Sequence, residues 1–153
     1  MSIQKQYSGR LKFLAGYYGI LQSLHLIMLA RAGLIFLISG NIPYPALPPA
    51  AGWSSQELPY LFGMGVMDAG AACLGIFAAY YFIKNDRFIA RYWVLSLGIA
   101  LTSAIIFTVG TFPSGAWHDH PLAYGSLAIF FSPLFLLFVD VFSFLRKYEY
   151  TRE

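Results

Sequence analysis

Four apolar runs, at about residues 11–39, 58–83, 88–112 and 121–145, constrain this chain more than any other feature. Each exceeds the roughly 20 residues that an α-helix needs to cross a hydrocarbon core. Composition points the same way. Charged residues make up 11% of the chain and hydrophobic residues 58%, whereas a soluble domain carries about 25% charge. The expected fold is an all-α integral membrane protein with residues 1–153 as one domain. Its four transmembrane helices form two hairpins in an antiparallel bundle. The first run, at 1.5 Å per residue, is roughly 43 Å long, so it must tilt or leave its first two turns in the interface.

The connections alternate in charge. Residues 41–57 hold Pro43, Pro45, Pro48 and Pro49 and no Lys or Arg, and neither does PSGAWHDH at 113–120. Of the ten Lys and Arg residues, nine flank the opposite ends of the runs: Lys5, Arg10, Lys12, Lys84, Arg87, Arg91, Arg146, Lys147 and Arg152. The positive-inside rule then predicts both termini in the cytoplasm. A bacterial cytoplasmic membrane is the expected setting. This topology accounts for all nine bases, so the net charge of +3 is not read as nucleic-acid binding. Tyr and Trp gather near both predicted boundaries, where amphipathic rings are stable. Ser54-x-x-Glu57 has the pattern of a capping box opening the second helix.

Several chemistries are excluded or left without a motif. The one cysteine, Cys73, rules out an intrachain disulfide or a paired-cysteine redox site. No Walker, Rossmann or other Gly-rich phosphate-binding spacing occurs. The N-terminal segment does not read as a cleavable signal, because its apolar run is too long and ends without a small-x-small site. No cofactor is expected. Haem ligation by this chain alone is not expected either, since only His25 among the histidines lies within a run.

Helix contacts in lipid depend on small residues that permit close approach. In the second helix Asp68, Ala71, Ala72, Gly75 and Ala79 share one face at helical spacing. The third offers Ser96, Ala100, Ser103 and Gly110. In the fourth, Ser126, Ile129, Pro133 and Asp140 form the expected inward face. The remaining faces of that helix are rich in phenylalanine and suit lipid, a protein partner or a second copy of the chain. Pro133 removes a backbone donor and is expected to free a carbonyl one turn earlier.

The ionisable residues inside the runs are the candidate binding residues: His25, Arg31, Asp68 and Asp140. A charge at mid-bilayer costs about 2.5–3.5 kcal/mol on the insertion scale, so such groups pair or line a polar site. At 1.5 Å per residue, Arg31 and Asp68 lie at similar depths, roughly 12 and 15 Å from the outer ends of their helices. That predicts an Arg31–Asp68 pair; the alternative has Arg31 snorkelling outward. His25 and Asp140 share an inner-half depth, with Gln22 and Ser143 one turn away, and are the candidate acid–base residues. His118-Asp119-His120, in the second outer loop, is the candidate metal cluster, but only Glu57 or His25 could complete its shell. A structural loop role is the favoured reading of those three residues.

The stretch GVMDAGAACLGIFAAYYFIKNDRFIARYW resembles part of the DoxX-like membrane proteins, which carry an acidic residue before a small-rich helix and a basic turn. The four-span layout with both termini inside is similar to the EXPERA sterol-isomerase and sterol-binding group. Neither resemblance transfers a site residue onto this sequence. Three functions follow from the residues. The first is a non-catalytic subunit or scaffold of a membrane complex, which predicts no roomy cavity. The second is a binder or transporter of a small apolar ligand, a lipid or a quinone, which predicts a cavity lined by aromatics and by His25, Asp68 or Asp140. The third is a membrane enzyme using His25 and Asp140 on a lipid-soluble substrate. The small size and lack of a strong motif favour the first.

Overall fold

The computed structural model describes residues 9–85 and 88–150. Among the described residues there is no strand. The elements are α1 (Gly9–Ser39), α2 (Glu57–Asn85), α3 (Ala90–Thr111), a 3₁₀ turn (Phe112–Ser114), the short α4 (Ala116–Asp119) and α5 (Pro121–Tyr150). Four segments are long and apolar enough to cross a membrane: α1, α2, α3 with its 3₁₀ extension, and α5 as far as Arg146. Of the flanking bases, Lys5, Arg87 and Arg152 lie outside the described residues, as do Met1, Glu153 and the side chain of Lys147.

Local chemistry explains the helix boundaries. The Ser54 N–H donates to Glu57 Oε2 at 2.7 Å, and the Glu57 N–H donates back to Ser54 Oγ at 3.2 Å. This reciprocal capping box starts α2 where the sequence pattern placed it. In α5, Pro133 cannot donate to the Ile129 carbonyl, and the Ser132 hydroxyl takes that acceptor at 2.9 Å. The next carbonyl, Phe130 O, accepts from the Tyr17 hydroxyl of α1 at 2.8 Å. The helix therefore runs through its proline with the freed backbone group satisfied, as an apolar solvent requires.

α1 packs along α2, and α2 along α3, while α5 lies against both α1 and α3. The small-residue face of α2 is buried through Ala71, Ala72, Gly75 and Ala79. Gly75 lies at a close approach: a Cβ there would stand 2.7 Å from the Tyr18 ring and 2.8 Å from Ser96 Oγ. Ser96, Ala100 and Ser103 of α3 are buried as predicted, while Gly110, the fourth residue of that face, is exposed and lies against Tyr60. The fully enclosed Tyr18, Phe82, Trp93 and Leu97 make the densest part of the core.

The inward face of α5 differs from the expected one. Ile129 is 74% exposed, whereas Tyr124, Leu134, Leu137 and Val141 are buried. Phe131 and Phe138 also pack against the core, while Phe130, Phe135 and Phe142 point outward. The small residues of α2 and α3 leave room that large side chains of α5 fill, so close approach is not the rule for this helix.

The two ends of the helix assembly contrast. Arg10, Lys12, Lys84, Arg91 and Arg146 mark a basic end, and residues 40–56 with 112–120 form a capped end.

Candidate functional site

Toward the capped end, beyond Tyr18, the helices part around a cavity of about 580 Å³. Its volume lies within the range of small-molecule sites. Small residues at this level, including Gly65, Ala69, Ala100 and Ala104, leave the space, and Leu29, Phe36, Phe107, Leu127 and Phe131 give it apolar walls. Gln22 and His25, one turn apart on α1, and Asp68 on α2 supply the polar side chains near its floor. Ile42, Pro45, Ala46 and Trp117 cover it at the capped end. Leu34, Leu37, Phe62 and Val66 line the cavity and are also exposed, so it opens sideways between α1 and α2.

The polar floor rests on a directed chain of hydrogen bonds. Ser96 Oγ donates its only hydrogen to the Ala71 carbonyl at 2.7 Å. It must then accept from the Tyr18 hydroxyl, 2.6 Å away. The Gln22 side chain lies beside Tyr18. Because the Tyr18 hydrogen is already committed, its oxygen can only accept, so the NH₂ of Gln22 suits that side and Oε1 is left over. Gln22 is 1% exposed, and its Oε1 has no hydrogen-bond partner among the described residues. His25 is 8% exposed and meets the Phe131 ring edge-on at 5.1 Å between centroids. No hydrogen bond to His25 occurs among the described residues. The Asp68 carboxyl group lies beside the Ser103 side chain.

The candidate residues are therefore distributed differently from the two predicted pairs. Arg31 is exposed and forms no ion pair among the described residues, while Asp68 faces Ser103. Arg31 lies nine residues beyond Gln22, which is two and a half turns at 3.6 residues per turn, and so occupies the opposite face of α1. Asp140 pairs with Arg10 instead of His25, Nε to Oδ2 at 2.9 Å, near the basic end. Of the four intramembrane candidates, the structure brings only His25 and Asp68 to the cavity. Gln22 had stood out in the sequence only as a neighbour of His25. The signal that could have found it is the polar pair at i and i+3, Gln22 and His25, on one face of a stretch in which Ser23 is the only other polar residue between Ile20 and Met28.

His118, Asp119 and His120 strap the two loops of the capped end together. Asp119 Oδ2 accepts from the Ala50 N–H at 2.7 Å. His120 Nε2 lies 2.9 Å from the Pro48 carbonyl and donates to it, and the Tyr124 hydroxyl donates to the Leu47 carbonyl at 2.6 Å. Trp117 stacks on Tyr124, with centroids 5.0 Å apart, and its Nε1 donates to Thr111 Oγ1 at 2.9 Å. The Ala50 N–H, and then the His118 side chain, hold the Asp119 carboxyl below the ordinary carboxylate range. Among the described residues no group of three or more His, Cys, Asp or Glu side chains is placed to hold a metal ion.

The fold and the site together define a helical protein with four segments apolar enough to span a membrane and a mainly apolar internal cavity. Comparison with protein families, curated proteins and solved structures finds no match.

Proposed function

We propose that the protein is a membrane-embedded binder of a small, mostly apolar molecule. In this reading the helices form two hairpins in an antiparallel bundle, with the basic end and both termini on the cytoplasmic side of a bacterial membrane. The observation that carries the reading is the cavity of about 580 Å³, with apolar walls, a polar floor, a strapped cover and an opening between α1 and α2. A scaffold subunit has no need of such a space. The exposed Phe130, Phe135 and Phe142 of α5 then face lipid, and the bilayer is the surrounding partner.

The test is purification in mild detergent, followed by extraction and mass spectrometry of whatever remains bound. A stoichiometric apolar molecule is expected from the native protein. Ala104→Trp, which puts a large ring into the cavity wall, should lose that molecule at unchanged folded yield. A native protein that carries no such molecule, or an Ala104→Trp variant that retains it in full, would count against the reading. Orientation is tested separately by cysteine labelling at Ser54 and Ser114 in a Cys73→Ser background. Labelling from the outside of intact cells is expected; labelling only after permeabilisation would reverse the topology.

A further inference from the structure

Resting on the cavity reading above, we infer that the bound molecule is an apolar alcohol or phenol whose single hydroxyl sits between Gln22 and His25. Three observations lead there. First, the chain Tyr18–Ser96–Ala71 runs in one direction only, because Ser96 has one hydrogen and gives it to Ala71. The Tyr18 oxygen can then only accept, so Gln22, which lies beside it and lines the cavity, turns its NH₂ toward Tyr18 and keeps an acceptor left over. Second, that acceptor is almost completely buried and has no partner among the described residues. A buried acceptor left unpaired is destabilising, so such a group is retained where something fills it. Third, His25 lies one turn along the same face of α1, lines the same cavity and likewise has no hydrogen bond among the described residues. A neutral imidazole carries one N–H.

A hydroxyl group completes both positions at once. Its hydrogen goes to Gln22 Oε1, and its oxygen accepts from the His25 N–H. A ketone or an ether oxygen accepts from His25 but leaves Gln22 unpaired. An amine cation can donate both to Gln22 Oε1 and to the acceptor nitrogen of His25, but it brings a charge between apolar walls, which is costly. The apolar body then lies along Leu29, Phe36 and Phe131, toward the opening between α1 and α2.

The experiment uses the full chain in lipid nanodiscs and four probes: 4-octylphenol, 4-octylcyclohexanol, 4-octylanisole and octylbenzene. Occupancies are compared at equal probe concentration within the bilayer, with empty nanodiscs subtracted. Both hydroxyl probes are expected to bind about tenfold or more tightly than the anisole, and their order tells a phenol from an alcohol. Gln22→Leu should level the hydroxyl and ether probes while keeping octylbenzene bound. Should that variant fail to fold, the wild-type ratios decide alone. Equal binding of all four probes by the wild type leaves the cavity reading standing and overturns the hydroxyl inference. Binding of none of the four overturns the cavity reading itself.

Discussion

Gly75→Ala adds one methyl group at a helix contact that has no room for it. The new Cβ would stand 2.7 Å from Tyr18 Cε1 and 2.8 Å from Ser96 Oγ, where ordinary contact begins at 3.4 Å. Neither neighbour can yield freely. Tyr18 and Ser96 are both completely buried, they hydrogen-bond at 2.6 Å, and the Tyr18 ring lies 5.9 Å from that of Trp93. Forcing a methyl into such a site costs about 1–3 kcal/mol, and stretching the buried hydrogen bond adds about 1 kcal/mol. The helix-propensity gain of alanine returns up to about 1 kcal/mol. A net loss of about 1–3 kcal/mol is expected. Gly70→Ala is the control: it lies on the same helix with nothing within 4 Å of the added carbon. Thermal unfolding of both variants in detergent, followed by tryptophan fluorescence, measures the difference. Ser96→Ala removes one of the two clashes but also orphans the Tyr18 hydroxyl, so the double variant Gly75→Ala with Ser96→Ala should lose less stability than the sum of the two single variants. If Gly75→Ala proves as stable as Gly70→Ala, the close-contact argument is wrong.

Three further predictions concern polar groups. Arg31→Leu and Asp68→Leu should have additive effects on stability in a double-mutant cycle, since the two side chains are on different faces; a coupling above about 0.5 kcal/mol would contradict this. Ser132→Ala should cost about 1 kcal/mol by orphaning the Ile129 carbonyl, and nothing in a Pro133→Ala background, where the restored N–H takes that acceptor; an equal cost in both backgrounds would refute the compensation. The Asp119 carboxyl has a folded pKa below the ordinary 3.8, so the Ala50 contact is at full strength above that pH. It is lost only as pH falls through the lowered value. The Ala50 amide shift in NMR should report a midpoint below 3.8, and a midpoint at or above it would remove the strap from the account.

What the sequence revealed depended on whether one coordinate sufficed. Span ends need only run length and local capping, and Ser54-x-x-Glu57 formed the bonds its spacing implies. The packing face of α2 needs only helical phase within one segment, and Gly75 landed at the contact. Pairing across helices needs depth and azimuth together. Arg31 and Asp68 matched in depth and differed in azimuth, which the nine-residue offset from Gln22 would have exposed. Asp140 was compared with His25 by depth, while Arg10, on the first turn of α1, reached it first. The face of α5 was misassigned because the small-residue rule describes helices in close approach, and α5 packs through Leu134, Leu137 and Val141 instead. The cavity itself has no residue signature, since it is the volume that Gly65, Ala69, Ala100 and Ala104 leave together.

The strapped cover and the opening between α1 and α2 decide which phase supplies the cavity. With Asp119, His120 and Tyr124 tying the loops down, a ligand in the proposed bilayer setting exchanges with hydrocarbon rather than with water. Its chemical potential is then set by partitioning before it meets the protein. Each added methylene, transferred at about 0.8 kcal/mol, raises its concentration in hydrocarbon about fourfold. A homologous series titrated against total aqueous concentration would therefore gain apparent affinity about fourfold per carbon even if the cavity walls ignored the tail. Dilution with extra lipid would weaken that apparent affinity with no change at the site. Selectivity belonging to the protein is the part that survives when occupancy is plotted against mole fraction in the membrane.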